Sequence, residues 1–142
     1  VIGRSPDVVA PVLLVEDNPD DVLLTRRAFG KAGLVVDLTV ATDGDAAVAK
    51  LESPPFPRLI LLDWKLPRRS GLEVLRWIRQ QPCLAAVPVV VLTSSRLQDD
   101  IDLAYQSGAN SYLQKPVDLG QLVELLDRLH LYWLHTNVTS AD

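Results

Sequence analysis

The sequence has little with which to cross-link itself or to span a membrane. Among its 142 residues one is a cysteine, Cys83, so no intrachain disulfide can form. A lone thiol outside any Cys/His cluster fits a reducing, cytoplasmic compartment. No apolar run approaches the ~18–20 residues of a membrane span. Val1 to Pro11 lacks the basic start and long apolar core of a signal peptide. Basic charge is not in excess either: 14 Lys and Arg against 18 Asp and Glu leave a net charge of −4. That speaks against nucleic-acid binding through a general basic surface. What is present is an ordinary globular composition, 48% hydrophobic and 23% charged. The length suits one domain, able to fold without a disulfide or structural metal.

Short apolar runs alternate with longer amphipathic stretches. Val12-Leu13-Leu14-Val15, Leu59-Ile60-Leu61-Leu62 and Val89-Val90-Val91-Leu92 are continuous rather than alternating, as in central strands of a parallel sheet buried on both faces. Val35 to Ala41 and Ser111 to Gln114 read as weaker strands, the first alternating as an edge strand does. A helical stretch follows each run. The first starts at Asn18 as N-cap, with Pro19 at the first helical position and Asp20 and Asp21 in the first turn. It ends near Lys31, where Gly33 supplies a left-handed cap. The others are predicted over Gly44 to Leu51, Ser70 to Gln81, Leu97 to Ser107, and Asp118 to about His135. The result is a (βα)₅ pattern, an α/β sheet with right-handed crossovers. The residues after Pro116 suffice for one helix and a tail, so no attached output module is expected.

In open α/β sheets ligands bind at the carboxyl ends of the strands. The first strand runs into Glu16-Asp17, the third ends in Asp63, the fourth in Thr93-Ser94, and the fifth leads to Lys115-Pro116. Taken singly, each has an ordinary reading as a cap, a strand former or a solvated lysine. Those readings do not explain why all converge on one edge. Clustered carboxylates repel, so at least one is protonated unless a cation neutralises them, and Mg²⁺ favours one or two carboxylates with other oxygen ligands. An ionised Asp63 beside Mg²⁺ can attack a phosphoryl group to form an aspartyl phosphate. The phosphoryl oxygens are then neutralised by Mg²⁺, by Lys115, and by the Thr93 hydroxyl with a backbone N–H. Ser94 is small enough to leave room.

Together, Leu-Val-Glu16-Asp17-Asn18, Leu-Leu-Asp63-Trp64-Lys65-Leu66-Pro67 with Ser70-Gly71, Leu92-Thr93-Ser94, Gly108-Ala109 and Lys115-Pro116 resemble the receiver domain of two-component response regulators. The resemblance implies a flavodoxin-like doubly wound sheet of strand order 2-1-3-4-5, the order the receiver family itself exemplifies. It implies a receiver domain over 11–135, an N-terminal extension at 1–10 and a tail at 136–142. By the same resemblance Asp63 is the phosphoacceptor. Asp17 and Asp63 bind Mg²⁺ directly, Glu16 acts mostly through water, and the Lys65 backbone carbonyl is a further ligand. Lys115 pairs with a phosphoryl or carboxylate oxygen and precedes a cis bond to Pro116. Thr93 moves toward the phosphoryl group and Tyr112 follows as a switch aromatic. The Lys65 side chain, where many members carry Asn or Met, is expected to point into solvent. Lys65 and Ser95 both border the water that would hydrolyse the phosphoryl group.

A narrower resemblance is to the small regulators that partner phytochrome histidine kinases. It rests on Glu16-Asp17-Asn18-Pro19, Asp20-Asp21, the Leu-Pro after the acceptor, and Tyr132-Trp133-Leu134. It implies a histidine kinase partner of phytochrome type and a signalling protein rather than an enzyme. In the last helix Leu122, Leu126, Leu129 and Trp133 form one stripe, while Val123, Leu125 and Tyr132 fall outside it. The surplus suggests a homodimer face made by the fourth helix, fifth strand, fifth helix and C-terminal segment. His130 and His135 lie on the far tail, away from the helical bundle a phosphotransfer histidine uses. Trp64 and Trp77 read as packing or surface aromatics. The rival functions are an aspartyl-phosphate phosphohydrolase and an intermediate phosphorelay carrier. The first needs an acid two residues after the nucleophile, where this chain has Lys65. The second is not separable from a terminal switch by sequence. A nucleotide- or flavin-binding module is excluded at the first turn, which is acidic and lacks a Gly-rich cradle.

Overall fold

The computed structural model describes residues 10–115 and 118–129. Five parallel strands, β1 (Ala10–Val15), β2 (Val36–Ala41), β3 (Leu59–Asp63), β4 (Val89–Thr93) and β5 (Ser111–Gln114), form one sheet in the order β2-β1-β3-β4-β5. Between and after them lie α1 (Pro19–Lys31), α2 (Gly44–Leu51), α3 (Gly71–Gln80), α4 (Gln98–Gln106) and α5 (Leu119–Leu129), with a short 3₁₀ turn at Pro82–Leu84. This is the flavodoxin-like doubly wound sheet that the resemblance implies.

The continuous apolar runs occupy the centre because each side of the sheet is covered. Leu13, Val15, Ile60, Leu62, Val89 and Val91 face α2, α3 and α4, packing on Ala47, Leu51, Val74, Leu75, Ile78 and Ala104. The alternate residues Val12, Leu14, Leu59, Leu61, Val90 and Leu92 face α1 and α5, on Ala28, Phe29, Leu122, Leu126 and Leu129. Each such Leu, Ile or Val contributes roughly 1.5–3 kcal/mol through burial. Edge strand β2 keeps the alternation read from sequence, with Asp37 and Thr39 exposed. At edge β5 the Tyr112 N–H donates to the Tyr105 hydroxyl at 3.2 Å, which occupies an edge donor that could otherwise pair with another chain.

Local chemistry sets the element ends. Asn18 caps α1, its Oδ1 accepting from the Asp20 N–H at 2.9 Å. Gly33 follows with φ 71°, the left-handed conformation that glycine adopts without steric cost. Asp43 caps α2 and Ser70 caps α3 in a reciprocal box with Glu73, so Ser70 lies just outside the helix it was expected to begin. The expected strand at Val35 starts at Val36, and α4 is one residue shorter at each end than expected. β1 begins at Ala10, inside the expected extension. His130 to His135 lie outside the described residues, and with them the end expected for the last helix.

At the amino ends of β4 and β5 the Arg79 guanidinium donates to the carbonyls of Gly108, Leu84, Ala85 and Val87 and to the Asn110 side chain, at 2.9–3.3 Å. Asn110 Oδ1 also accepts from the Val89 N–H. Burial lowers the Arg79 pKa from its ordinary value without removing the charge.

Candidate functional site

The carboxyl ends of β1, β3, β4 and β5 open on a cleft of about 530 Å³ lined by Glu16, Asp17, Asp63, Lys65, Ser94 and Lys115 among others. Glu16, Asp17 and Asp63 each place a carboxylate oxygen within 4.8 Å of the other two. Glu16 and Asp63 are buried, at 2% and 9% exposure, while Asp17 is exposed. Parallel pairing accounts for the convergence. Val15 lies beside Leu62, and Asp63 beside Leu92, so the strands finish level and their next residues meet.

Lys115 offsets part of the cluster's charge. Its Nζ donates to Glu16 Oε1 and to Asp21 Oδ2, the latter at 3.0 Å, and stands 3.7 Å from Asp63 Oδ2. Its backbone N–H donates to the Thr93 carbonyl at 2.8 Å, which fixes where the side chain starts. Burial alone would draw the ammonium down. The bonds to Glu16 and Asp21 and the charge of Asp63 outweigh it, and the Lys115 pKa lies above the ordinary value. Glu16 is pushed up from 4.5 to about 7, chiefly by burial and also by the charge of Asp63, against the pull of Lys115. Oxygen donors of this kind, in a cluster whose negative charge exceeds that of one lysine, fit a hard divalent cation.

The β3–α3 loop holds Asp63 in place. The Lys65 N–H lies 3.5 Å from Asp63 Oδ1, and the Lys65 side chain is exposed, as expected. The Gly71 N–H donates to the Trp64 carbonyl at 3.0 Å. Arg68, at φ 70°, and Arg69 pair with Asp43 and Asp45 at 3.5 and 3.1 Å, tying the loop to the start of α2. Trp64 is buried and Trp77 partly buried in the same core face.

The other sequence-derived residues divide. Ser94 is exposed at the cleft. Thr93 is fully buried, and its hydroxyl accepts from the Ser95 N–H at 3.2 Å. Tyr112 donates its hydroxyl to the Ser95 carbonyl at 3.1 Å, so Thr93 and Tyr112 meet at the β4–α4 loop. Burial raises the Tyr112 pKa, partly opposed by the bond to Ser95. Ser95 is buried and donates to Asp100 of α4, away from the cleft. The bond to Pro116 lies outside the described residues. Sequence reasoning gave Asp21 a helix-end role and a place in the narrower resemblance, but no contact with Lys115, which joins residues far apart in the chain.

A parallel 2-1-3-4-5 sheet with three acids and a lysine gathered at its carboxyl edge defines a receiver domain, and the chain belongs to the response regulator receiver family, whose domain matches residues 12–127. It is similar to the response regulator Rcp1 of Synechocystis sp. (strain ATCC 27184 / PCC 6803 / Kazusa), 39% identical over 88% of this chain and 89% of Rcp1. The crystal structure of Mn²⁺-bound Rcp1 superposes with a TM-score of 0.79 over 91% of this chain and 97% of that one, at 38% identity. The phosphorylated cyanobacterial phytochrome response regulator RcpA gives a TM-score of 0.81 at 34% identity, covering 92% of this chain and 98% of that one. The probable methanogenesis regulatory protein FilR2 of Methanothrix harundinacea (strain 6Ac) is 40% identical over 89% of this chain and 84% of its own length. The protein is a response regulator receiver. Among the described residues no helix is long and apolar enough to cross a membrane.

Proposed function

We propose that Asp63 accepts a phosphoryl group from a histidine kinase, one of phytochrome type, and that the protein signals through altered protein contacts. One observation carries this reading: the buried Asp63 carboxylate shares a cleft with Glu16, Asp17 and the Lys115 ammonium. An Asp63 oxygen attacks phosphorus, the bond from phosphorus to the donor atom breaks, and the donor leaves with the electron pair. Asp17, Asp63 and the Lys65 carbonyl would hold Mg²⁺, with Glu16 acting through water. The ion would neutralise charge on the phosphoryl oxygens. Lys115 and Ser94 stand where further oxygens can be met. Thr93, now turned to the Ser95 N–H, would rotate toward them and leave Tyr112 to follow. The Mn²⁺ and the phosphorylation of the two cyanobacterial relatives support both parts. Incubation with acetyl phosphate and Mg²⁺, followed by intact mass, is expected to show one added phosphoryl group per chain. Turnover of varied phosphate esters would point to a phosphohydrolase instead, and passage of the label to a histidine protein to a relay carrier.

The Glu16 proton sets the pH dependence. Its folded pKa of about 7 lies above the ordinary 4.5, so between those values the folded, metal-free protein keeps a proton that the unfolded chain has released. Metal-free stability therefore falls as pH rises across this window. A bound cation competes with the same proton. Mg²⁺ affinity is expected to rise with pH by up to about tenfold per unit below about 7, then level off. Calorimetric titrations across that range check it; equal affinity at all pH values would refute the assignment to Glu16.

For the partner surface we propose a second copy of the chain on the face made by α4, β5 and α5. Among the described residues its exposed large apolar side chains are Leu97, next to α4, and Tyr105 within it, at 66% and 48% exposure. Val123 and Leu125 of α5 are partly buried against the core, so the surplus apolarity read on this helix is in part absorbed internally. Tyr132 and Trp133 lie outside the described residues. Sedimentation is expected to show a concentration-dependent dimer strengthened by acetyl phosphate. A monomer under both conditions would remove this surface.

A further inference from the structure

A carboxylate outside the Glu16, Asp17 and Asp63 cluster also touches the ammonium. Asp21 stands in the first turn of α1, where its backbone carbonyl accepts from the Thr25 hydroxyl at 2.8 Å. Its side chain, about one third exposed, accepts from Lys115 Nζ at 3.0 Å. A lysine ammonium has three protons and no acceptor. Here Glu16 and Asp21 engage it at hydrogen-bond distance, whereas Asp63, 3.7 Å off, shares its charge without a bond of ordinary length.

We infer that Asp21 is a positioning residue: it draws Lys115 toward α1 and off Asp63, and so sets how readily the ammonium is released to an oxygen arriving on Asp63. The inference rests on Asp63 being the phosphoacceptor. Every carboxylate on Lys115 competes with the incoming phosphoryl oxygens for its protons. Glu16 is deeply buried, so a bond it loses to Lys115 is not readily replaced by water. Asp21 lies at the rim, where water can replace what it gives up. It is therefore the adjustable competitor.

The test is acetyl phosphate labelling with Mg²⁺, followed by intact mass over time in the full chain. Asp21→Asn keeps the shape of the side chain and removes its charge. It is expected to raise the initial labelling rate about three- to fivefold at low ionic strength, the scale of a partly exposed ion pair. Asp21→Glu is expected to return the rate close to that of the unaltered protein. Added to Lys115→Gln, Asp21→Asn is expected to lose most of its effect, because the residue acts through the ammonium. The same pairs are compared by calorimetric Mg²⁺ titration, which needs no phosphotransfer. There Asp21→Asn is expected to weaken binding about threefold when Lys115 is present, as the freed ammonium moves toward Asp63, and by much less when it is not. An unchanged or slower rate in Asp21→Asn, or equal effects in both backgrounds, overturns the inference while leaving the acceptor reading intact. Failure of the unaltered protein to take up label overturns the acceptor reading, and this inference falls with it.

Discussion

Asp63→Asn is expected to show no mass increase with acetyl phosphate and Mg²⁺ under conditions that label the unaltered protein to completion. The substitution replaces a carboxylate oxygen by an amide nitrogen whose lone pair is delocalised, so the nucleophile is lost while the volume is kept. The fold should not suffer. Asp63 lies beside Glu16, and its charge raises the Glu16 pKa. Removing it relieves repulsion between two buried acids and lets Glu16 ionise more easily. A thermal melt without metal is therefore expected to give a midpoint equal to or above that of the parent, and Mg²⁺ binding is expected to weaken. Loss of labelling in a variant that stays folded separates acceptor chemistry from damage to the site. Full labelling of Asp63→Asn would place the acceptor elsewhere.

Gly71→Ala is expected to cost about 3 kcal/mol of stability, and to do so at the acceptor itself. A Cβ on Gly71 would stand 2.5 Å from the Asp63 carbonyl oxygen and 2.7 Å from the Trp64 Cα. These neighbours are backbone and cannot swing aside as the end of a side chain can. Either α3 moves outward or the chain after Asp63 shifts, and Asp63 moves with it. Gly30 is the control, since a Cβ there meets nothing within 4 Å and Gly30 lies inside α1. Gly30→Ala is expected to stabilise by roughly 0.5–1 kcal/mol. Urea denaturation of both variants checks the contrast. A Gly71→Ala midpoint equal to that of the parent would mean that the β3–α3 junction yields more easily than its contacts indicate.

The legible and illegible parts of this molecule divide along a physical line. The strands at 12–15, 59–62 and 89–92 were readable because burial on two faces demands unbroken apolar runs. The start of α1 was readable because Asn18 and Pro19 act on their own backbone. The meeting of Glu16, Asp17, Asp63 and Lys115 follows once the strands are parallel, since residues after strand ends then share one edge. Asp21 and Arg79 were not readable in their observed roles. Each depends on how closely two distant segments approach, and neither residue type is unusual at its position. Thr93 and Tyr112 were placed on the right strands, but their meeting at Ser95 depends on the path of the β4–α4 loop, which no periodicity encodes. The apolarity of α5 was readable, while the share of it absorbed by the core was set by packing.

The guanidinium of Arg79 divides the molecule mechanically. It rivets the starts of β4 and β5 to the end of α3 through neutral carbonyls, which no proton or metal at ordinary pH can displace. At the other pole the strands finish among charges that a cation, a proton or a phosphoryl group can rearrange. One end of the sheet is thus an anvil and the other a keyboard: a charge arriving at the acidic edge meets groups that can exchange partners, and the opposite edge offers it none.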